Sequence, residues 1–407
     1  MQPPPLAGRR IVEIGTMVAA PFAAHILAQL GAEVIKVEPP SGDPTRALVR
    51  GGPGGTFIAY SHGKQSVCLD LSRPEGRAAL YQLLATADAL VHNLAPRAAR
   101  KLGLTREDCA AVNPRLIYCH IRGYGAGPQE DELMSNPVAE AATGVMESNR
   151  IDGRPCRLGP SYHDQFAGAY AVIGLLASML QAQAGGQPEP VEVGLYETGL
   201  HVAARDLAGM QLKTHLFGKP EREPHGEFSN PGYGAYQTSD GRWIYVLMLA
   251  DTHWRRFCEA LALPQAHDAS LATLRQRRKA REQVEGIVKA AVAAHTYEDI
   301  TRRLQAAGVG ATEVLPIERV LEAPQAQAPG KTRHIEFRGL GFDVPEFPRR
   351  NAGRDGIDTL APAELGAHTD AVLAAAGVNA AARAALYASG AALSGATATF
   401  PWAPVKR

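Results

Sequence analysis

Arg10-Ile-Val-Glu-Ile-Gly15, Pro21-Phe-Ala-Ala-His-Ile-Leu-Ala-Gln-Leu30-Gly31 and Val34-Ile-Lys-Val-Glu38 together decide the fold of this 407-residue chain. The first run reads as a short apolar strand stopped by glycine. Pro21 opens a helical pattern carried by Leu27 and Leu30, and Gly31 closes it, as a first-turn proline and a terminal glycine do. The third run is a second strand, halted by Pro39-Pro40. Strand, helix and strand in this order imply a parallel sheet with a right-handed crossover. Working outward, the alternation continues. Strands are expected over 65–71, 89–92, 116–121 and 190–193, and helices over 74–86, 106–112, 167–182 and 197–212. The fold class is α/β, with a large doubly wound, Rossmann-like domain.

A chain of 407 residues is too long for one ordinary core, so a second domain is expected. The stretch 218–234 is rich in Gly, Pro and charge and marks the boundary. Beyond it, Gly234-Ala-Tyr-Gln-Thr-Ser-Asp-Gly-Arg-Trp-Ile-Tyr-Val-Leu247 reads as a hairpin turning at Asp240-Gly241. Helices over 254–261, 280–295 and 297–307 follow, then an extended piece over 309–314 and a short helix over 316–321. The expected organisation begins with residues 1–217 in the large domain and a linker over 218–229. A small inserted α/β domain over 230–328 follows, then a linker with return to the large domain over 329–407. Within that return a helix is expected over 369–376, and the alanine-rich 380–398 reads as a tail that wraps or frays.

Forty-two basic and 41 acidic side chains leave a net charge of +1, which gives no electrostatic reason for a nucleic acid or an anionic membrane as partner. The five cysteines (Cys68, Cys109, Cys119, Cys156, Cys258) are scattered, with no Cys-x-x-Cys spacing, as in a protein kept reduced. Residues 1–9 lack the apolar stretch of a signal peptide, and the apolar run 167–180 reads as a core helix too short to span a bilayer. A cytoplasmic protein is expected.

The first turn, Gly15-Thr-Met-Val-Ala-Ala-Pro21, lacks Gly-x-Gly-x-x-Gly. Glu38 stands where a ribose-binding acid would, but without the glycines a backbone does not approach a pyrophosphate, which argues against NAD. There is no Walker loop, no Gly-x-Ser-x-Gly, no His-Glu-x-x-His, and the histidines do not cluster at metal spacing, so no metal is expected. What remains is Gly159-Pro-Ser-Tyr-His-Asp164-Gln-Phe-Ala-Gly168, a carboxylate at the head of an apolar helix. On local pattern alone Asp164 is either a helix N-cap or a nucleophile.

Context separates the two. Leu6-Ala-Gly-Arg-Arg-Ile-Val-Glu13, Leu30-Gly-Ala-Glu-Val-Ile-Lys-Val-Glu38, Gly42-Asp-Pro-Thr-Arg46, Leu69-Asp-Leu-Ser-Arg-Pro-Glu-Gly76, Asp88-Ala-Leu-Val-His-Asn93, Asn113-Pro-Arg-Leu-Ile117 and Leu365-Gly-Ala-His-Thr-Asp370, in that order, resemble the class III CoA-transferases. This is the family of formyl-CoA:oxalate and crotonobetainyl-CoA:carnitine transferases. The resemblance implies that Asp164, in its Asp-x-x-x-Gly168 step, is the catalytic aspartate. It would carry an acyl anhydride and then an aspartyl-CoA thioester as CoA moves from an acyl-CoA to a small carboxylate or dicarboxylate. CoA is then substrate, and no permanently bound cofactor is implied.

By the same resemblance Val18, Ala19, Leu69, Asn93, Lys101 and Leu102 touch CoA. Val18 replaces a glutamine of oxalate-type members, and Pro39 replaces a basic residue whose contact Arg46 or Arg97 would supply. Asn136, Tyr162, His163 and Tyr233 are placed near the acyl group. Gly232-Tyr233-Gly234, with Ser229 before it, is either a lid or an interdomain turn. An interlocked homodimer is implied as well. Asn136-Pro137 and Thr252-His-Trp254 are similar to the mesaconyl-CoA C1–C4 transferase branch. The racemases of the same fold carry a His-Asp pair where this chain has Ser135 and Asn136, neither of them a base, which favours transfer. A catalytically idle CoA-binding protein is the remaining alternative.

Overall fold

Strand β1 (Arg10–Ile14) is buried along nearly its whole length although it carries Glu13, as expected of a strand covered on both faces of a parallel sheet. The structure is a computed structural model and describes residues 3–49, 52–218, 230–348 and 361–395. The chain divides into two units, Met1–Ala208 with Ala328–Arg407, and Gly209–Gln327. The predicted linker 218–229 falls, beyond Gly218, outside the described residues, as do Ser229 and the end of the alanine-rich tail.

In the first unit β1 is followed by α1 (Ala19–Gln29), β2 (Glu33–Glu38), α2 (Gly55–Ser61), β3 (Lys64–Leu69), α3 (Pro74–Leu84) and β4 (Ala89–His92). Then come α4 (Pro96–Leu102), α5 (Arg106–Val112), β5 (Ile117–Arg122), α6 (Asn136–Ala142), α7 (Val145–Ser148) and a small ribbon of β6 (Arg150–Ile151) and β7 (Arg154–Pro155). The long helix α8 (Tyr162–Gln183), β8 (Val191–Gly194) and α9 (Leu195–Val202) follow, and α10 (Ala204–Phe217) begins in this unit and continues into the second from Gly209. The single helix expected over 197–212 is therefore two, separated at Ala203.

The second unit holds β9 (Gly234–Gln237), β10 (Trp243–Val246), α11 (Asp251–Ala260), α12 (Leu274–Lys279), α13 (Arg281–Ala293), α14 (Tyr297–Ala306) and β11 (Ala311–Glu313). Its antiparallel sheet runs β11-β10-β9, and its core gathers Ile244, Trp254, Phe257, Val288 and Leu304.

The chain returns through a hairpin, β12 (Thr332–Phe337) and β13 (Leu340–Pro345), which packs Phe337 on Phe57 of α2 with ring centroids 5.6 Å apart. It then enters α15 (Thr369–Ala375), α16 (Ala380–Ser389) and β14 (Ala392–Leu393). The main sheet has the order β14-β3-β2-β1-β4-β5-β8, parallel except for β14. Strand order reverses between β1 and β4, which is the doubly wound pattern, and the crevice for a ligand opens at the carboxyl ends of these two strands. Side chains alternate along β1: Ile11 enters the core under α1 and α8, while Val12 and Ile14 enter the core under α3 and α15.

Two features of the tail depart from the sequence reading. Of the tail expected to wrap or fray, the described residues 380–395 form α16 and β14, which close the sheet with Ala392 paired to Leu69. Ahead of it Leu365-Gly-Ala-His-Thr-Asp370 docks on the same edge, where His368 Nδ1 accepts the Ser66 N–H (3.1 Å) and Thr369 Oγ1 accepts the Cys68 N–H (3.0 Å). An otherwise bare strand edge is thereby satisfied.

Helix α8 spans 22 residues, longer than its apolar run suggested, and by length and composition alone it would cross a bilayer. Here it is a packed helix: Ala167, Ala171 and Leu175 face the core shared with α1, β5 and β8. Gly168 and Gly174 allow the approach, since a Cβ on Gly168 would stand 2.8 Å from the Ala19 carbonyl oxygen.

Candidate active site

Asp164 is the third residue of α8, within its first turn, and not its cap. Ser161 stands at the cap position and makes no side-chain capping bond. The Asp164 carboxylate has no hydrogen bond or ion pair with any described residue, and burial without a partner pushes its pKa up to about 6. Asp164 and Gly168 lie four residues apart, on one face of the helix. The close contact at Gly168 therefore sets the first turn of α1, with Val18 and Ala19, beside the carboxylate.

That turn is built by the sheet. Lys36 Nζ donates to the Gly15 carbonyl and Lys64 Nζ to the Pro21 carbonyl, each at 2.8 Å, and both lysines also donate to Glu13. Asn93, just past β4, accepts the Thr16 N–H and donates to the Thr16 carbonyl, each at 2.9 Å. Both ends of its amide are consumed in clamping the turn. Met17 next to it holds φ of +62°, a left-handed conformation costly for a residue with a Cβ and characteristic of functional turns.

A cavity of about 370 Å³ runs from this turn past Asn93–Pro96, Arg122, Met134 and Asn136 to Ser161 and Asp164. A second, of about 240 Å³, is lined by Val37, Pro39, Leu69, Asp70 and Leu102. Thr16 and Leu94 line both, so the two form one groove across the carboxyl ends of the strands. Of the predicted residues, Val18, Ala19, Asn93, Asn136 and Asp164 meet in the first cavity and Leu69 and Leu102 in the second. Lys101 lies exposed in the last turn of α4, on neither lining.

Tyr162 is exposed at the start of α8, and His163, next to Asp164 in the chain, is buried. The Thr143 hydroxyl donates to the Ala139 carbonyl (2.7 Å), so it accepts from His163 Nε2 at 3.2 Å. Desolvation holds the imidazole below its ordinary pKa, and it is neutral. Gly232, Tyr233 and Gly234 belong to the second unit. There Gly232 (φ +82°) donates its N–H to Glu285, and Tyr233 packs edge-on against Tyr245.

Arg46 does not supply the charge lost at Pro39. It is buried and bidentate on Glu38 (2.7 and 2.6 Å), so Glu38 is equally unavailable to a ribose. Arg97 is exposed on α4. The sequence reading missed Thr16, Met17 and Arg122, which the fold brings onto one cavity lining, and Glu140, which lies behind it bonded to Asn136. Among the described residues no group of three His, Cys, Asp or Glu side chains is placed to hold a metal ion.

A model of CoA-transferase family III matches residues 6–369. The chain belongs to this family. This family III transferase is 31% identical to the succinyl-CoA–D-citramalate CoA-transferase of Chloroflexus aurantiacus, covering 90% of this chain and 92% of that one. It is also 31% identical to the succinate–glutarate CoA-transferase of Agrobacterium fabrum, over 82% and 86% of the two chains. Among solved structures, a CAIB/BAIF family protein from Brucella suis superposes with a TM-score of 0.80 at 27% identity, covering 92% of this chain and all of that one.

Proposed function

We propose that this CoA-transferase moves coenzyme A between a small dicarboxylic acyl-CoA and a small carboxylate or dicarboxylate, with Asp164 as covalent carrier. The observation that carries the reading is the unpartnered, half-buried carboxylate of Asp164 at the end of a groove long enough for an extended thioester. A carboxylate stripped of hydrogen-bond donors is a stronger nucleophile than one in water.

The sequence of bonds balances without an outside reactant. Asp164 attacks the thioester carbonyl, the C–S bond breaks, and CoA leaves as thiolate with a mixed anhydride on Asp164. The thiolate attacks the aspartyl carbonyl, releasing the donor acid and leaving an aspartyl-CoA thioester. The acceptor carboxylate displaces the thiolate to form a second anhydride, and the thiolate then takes the new acyl group. The backbone N–H groups of the Val18–Ala20 turn, at the head of α1, are the nearby donors suited to the oxyanions.

A dicarboxylate is favoured by the relatives, which are named for succinyl-CoA and citramalate or for succinate and glutarate. Arg122 is the sole Arg, Lys or His on the lining of the Asp164 cavity among the described residues. Its ion-pair partners Glu192 (2.7 Å) and Glu130 (3.9 Å) are both half exposed, so the guanidinium suits a distal carboxylate that would replace one of them.

A homodimer belongs to the same proposal. Ile173 and Leu180 on α8 are 61% and 66% exposed and Leu216 and Phe217 on α10 are 64% and 66% exposed, apolar surface that a second copy would cover. The free cysteines suit a cytoplasmic location.

Mass spectrometry after incubation with a panel of acyl-CoAs and hydroxylamine tests the carrier. A hydroxamate on the peptide holding Asp164, absent in Asp164→Asn, is the expected result. Undiminished transfer by Asp164→Asn overturns the reading.

A further inference from the structure

Helix α8 begins without a cap of its own. Its second residue, His163, has a backbone N–H with no intrahelical partner, as the first N–H groups of every helix do. Ser161 does not take it. The acceptor is instead Asn136 Oδ1, at 2.9 Å, from the start of α6. The residue immediately before the nucleophile is thus held by a side chain of another helix, and that side chain lines the Asp164 cavity.

An asparagine amide presents either an acceptor or a donor, depending on which way it is turned, and only the acceptor end can hold the His163 N–H. Glu140, one helical turn along α6, settles the choice. Its side chain is fully buried. Oε1 accepts from Asn136 Nδ2 at 2.6 Å, and Oε2 accepts the backbone N–H of Leu158 at 3.0 Å. No cation pairs with it among the described residues. A buried carboxylate that meets no positive charge is costly, and here it does one thing a neutral side chain of the same shape does not: it accepts at both ends.

We infer that Glu140 is a positioning residue for the transfer reaction, an acceptor-only anchor that fixes the amide of Asn136 and, through the His163 N–H, the first turn carrying Asp164. This rests on the reading of Asp164 as the carrier.

The test is a polarity swap. In Glu140→Gln the new Nε2 must face either the Leu158 N–H or Asn136. In the second case Asn136 turns over and opposes its own NH2 to the His163 N–H. One buried donor loses its acceptor either way. In Asn136→Asp two carboxylates face each other.

In the double variant Asn136→Asp/Glu140→Gln every group is satisfied again. The introduced amide donates to the introduced carboxylate and accepts from the Leu158 N–H, and the second oxygen of that carboxylate accepts from the His163 N–H. Each single change is expected to lower kcat by ~10- to 100-fold, the cost of a misplaced reacting group, with the KM for acyl-CoA little changed. The double variant is expected to recover at least ~10-fold over either single at pH 8. Its acid limb should lie higher than in the wild type, because a negative charge now stands nearer Asp164.

Wild-type kcat in Glu140→Gln, or a folded double variant no faster than the singles, overturns the inference. The isosteric Glu140→Gln decides alone if the double variant does not fold. Transfer and hydroxylamine trapping by Asp164→Asn are measured alongside. If transfer survives there, the carrier reading fails and this inference with it; if only Glu140→Gln is silent, the carrier reading stands.

Discussion

Gly168 meets the carbonyl oxygen of Ala19 so closely that a Cβ in its place would lie 2.8 Å from that oxygen. One glycine therefore sets the distance between the helix that carries Asp164 and the Val18–Ala19 turn beside it. Nothing soft lies in the way, since the opposing atom is backbone.

Gly168→Ala must push α1 and α8 apart. We expect a loss of ~1–3 kcal/mol of stability, in the range of an overpacked core. We also expect a fall in kcat of ~100-fold, from displacement of Val18 and Ala19 relative to Asp164. Denaturant unfolding and steady-state kinetics on the same preparation check both. An unchanged kcat would show that the turn does not act on the carboxylate.

Burial lifts the Asp164 carboxyl from 3.8 to about 6. With Asp164 as the proposed carrier, the ionised form attacks, so kcat/KM should fall below an apparent pKa near 6, and a limb near 4 would contradict the desolvated site. The sign for stability is opposite to that of an ion-paired acid. The folded chain holds this proton more tightly than the unfolded one, so the penalty is absent below pH 3.8, grows between 3.8 and 6, and is complete above. Asp164→Asn should thus be more stable than wild type by ~2 kcal/mol at pH 7.5, with the gap closing toward pH 4. Urea titrations at the two pH values measure it.

Beneath the turn lies a buried charge network. Glu13, Glu38 and Asp43 are balanced by Lys36, Lys64 and Arg46, all of them less than a tenth exposed. Glu13 serves both lysines, and burial pushes Lys64 down to about 8 against the pull of Glu13. Glu13→Gln leaves two buried ammonium groups short of an anion. We expect it to cost about 3–5 kcal/mol, read as a lowered denaturation midpoint. A loss below about 1 kcal/mol would mean that Asp43 alone neutralises the lysines.

Arg122→Gln should raise KM for dicarboxylate acceptors by ~10-fold and leave monocarboxylate acceptors nearly unaffected, which is the loss of one charge-assisted contact. Equal effects on the two acceptor classes would assign Arg122 to the loop it also holds through the Glu130 carbonyl.

Much of this was legible in the chain itself. Local pattern placed β1, β2, β4 and α5, because strand and helix periods and their Pro and Gly punctuation are short-range properties of residues 10–38 and of the later repeats of the same theme. The Asp164–Gly168 step marked the helix that carries the carboxylate. What satisfies the start of that helix was not legible there, because the acceptor, Asn136, comes from 27 residues earlier. Arg46 and Glu38 each looked available for a nucleotide until the fold paired them. That Asn93 clamps the Thr16 backbone through both ends of its amide was not legible either, since the two are 77 residues apart. The alanine-rich tail had too little pattern of its own to be read as a sheet edge; pairing with β3 decides it. The sequence determined the order of elements and the carboxylate at the head of α8, which are encoded by neighbours. Only the tertiary structure decided which polar groups are spent on each other and which, like Asp164, are left unpaired, because hydrogen bonds and ion pairs between distant residues compete for the same partners.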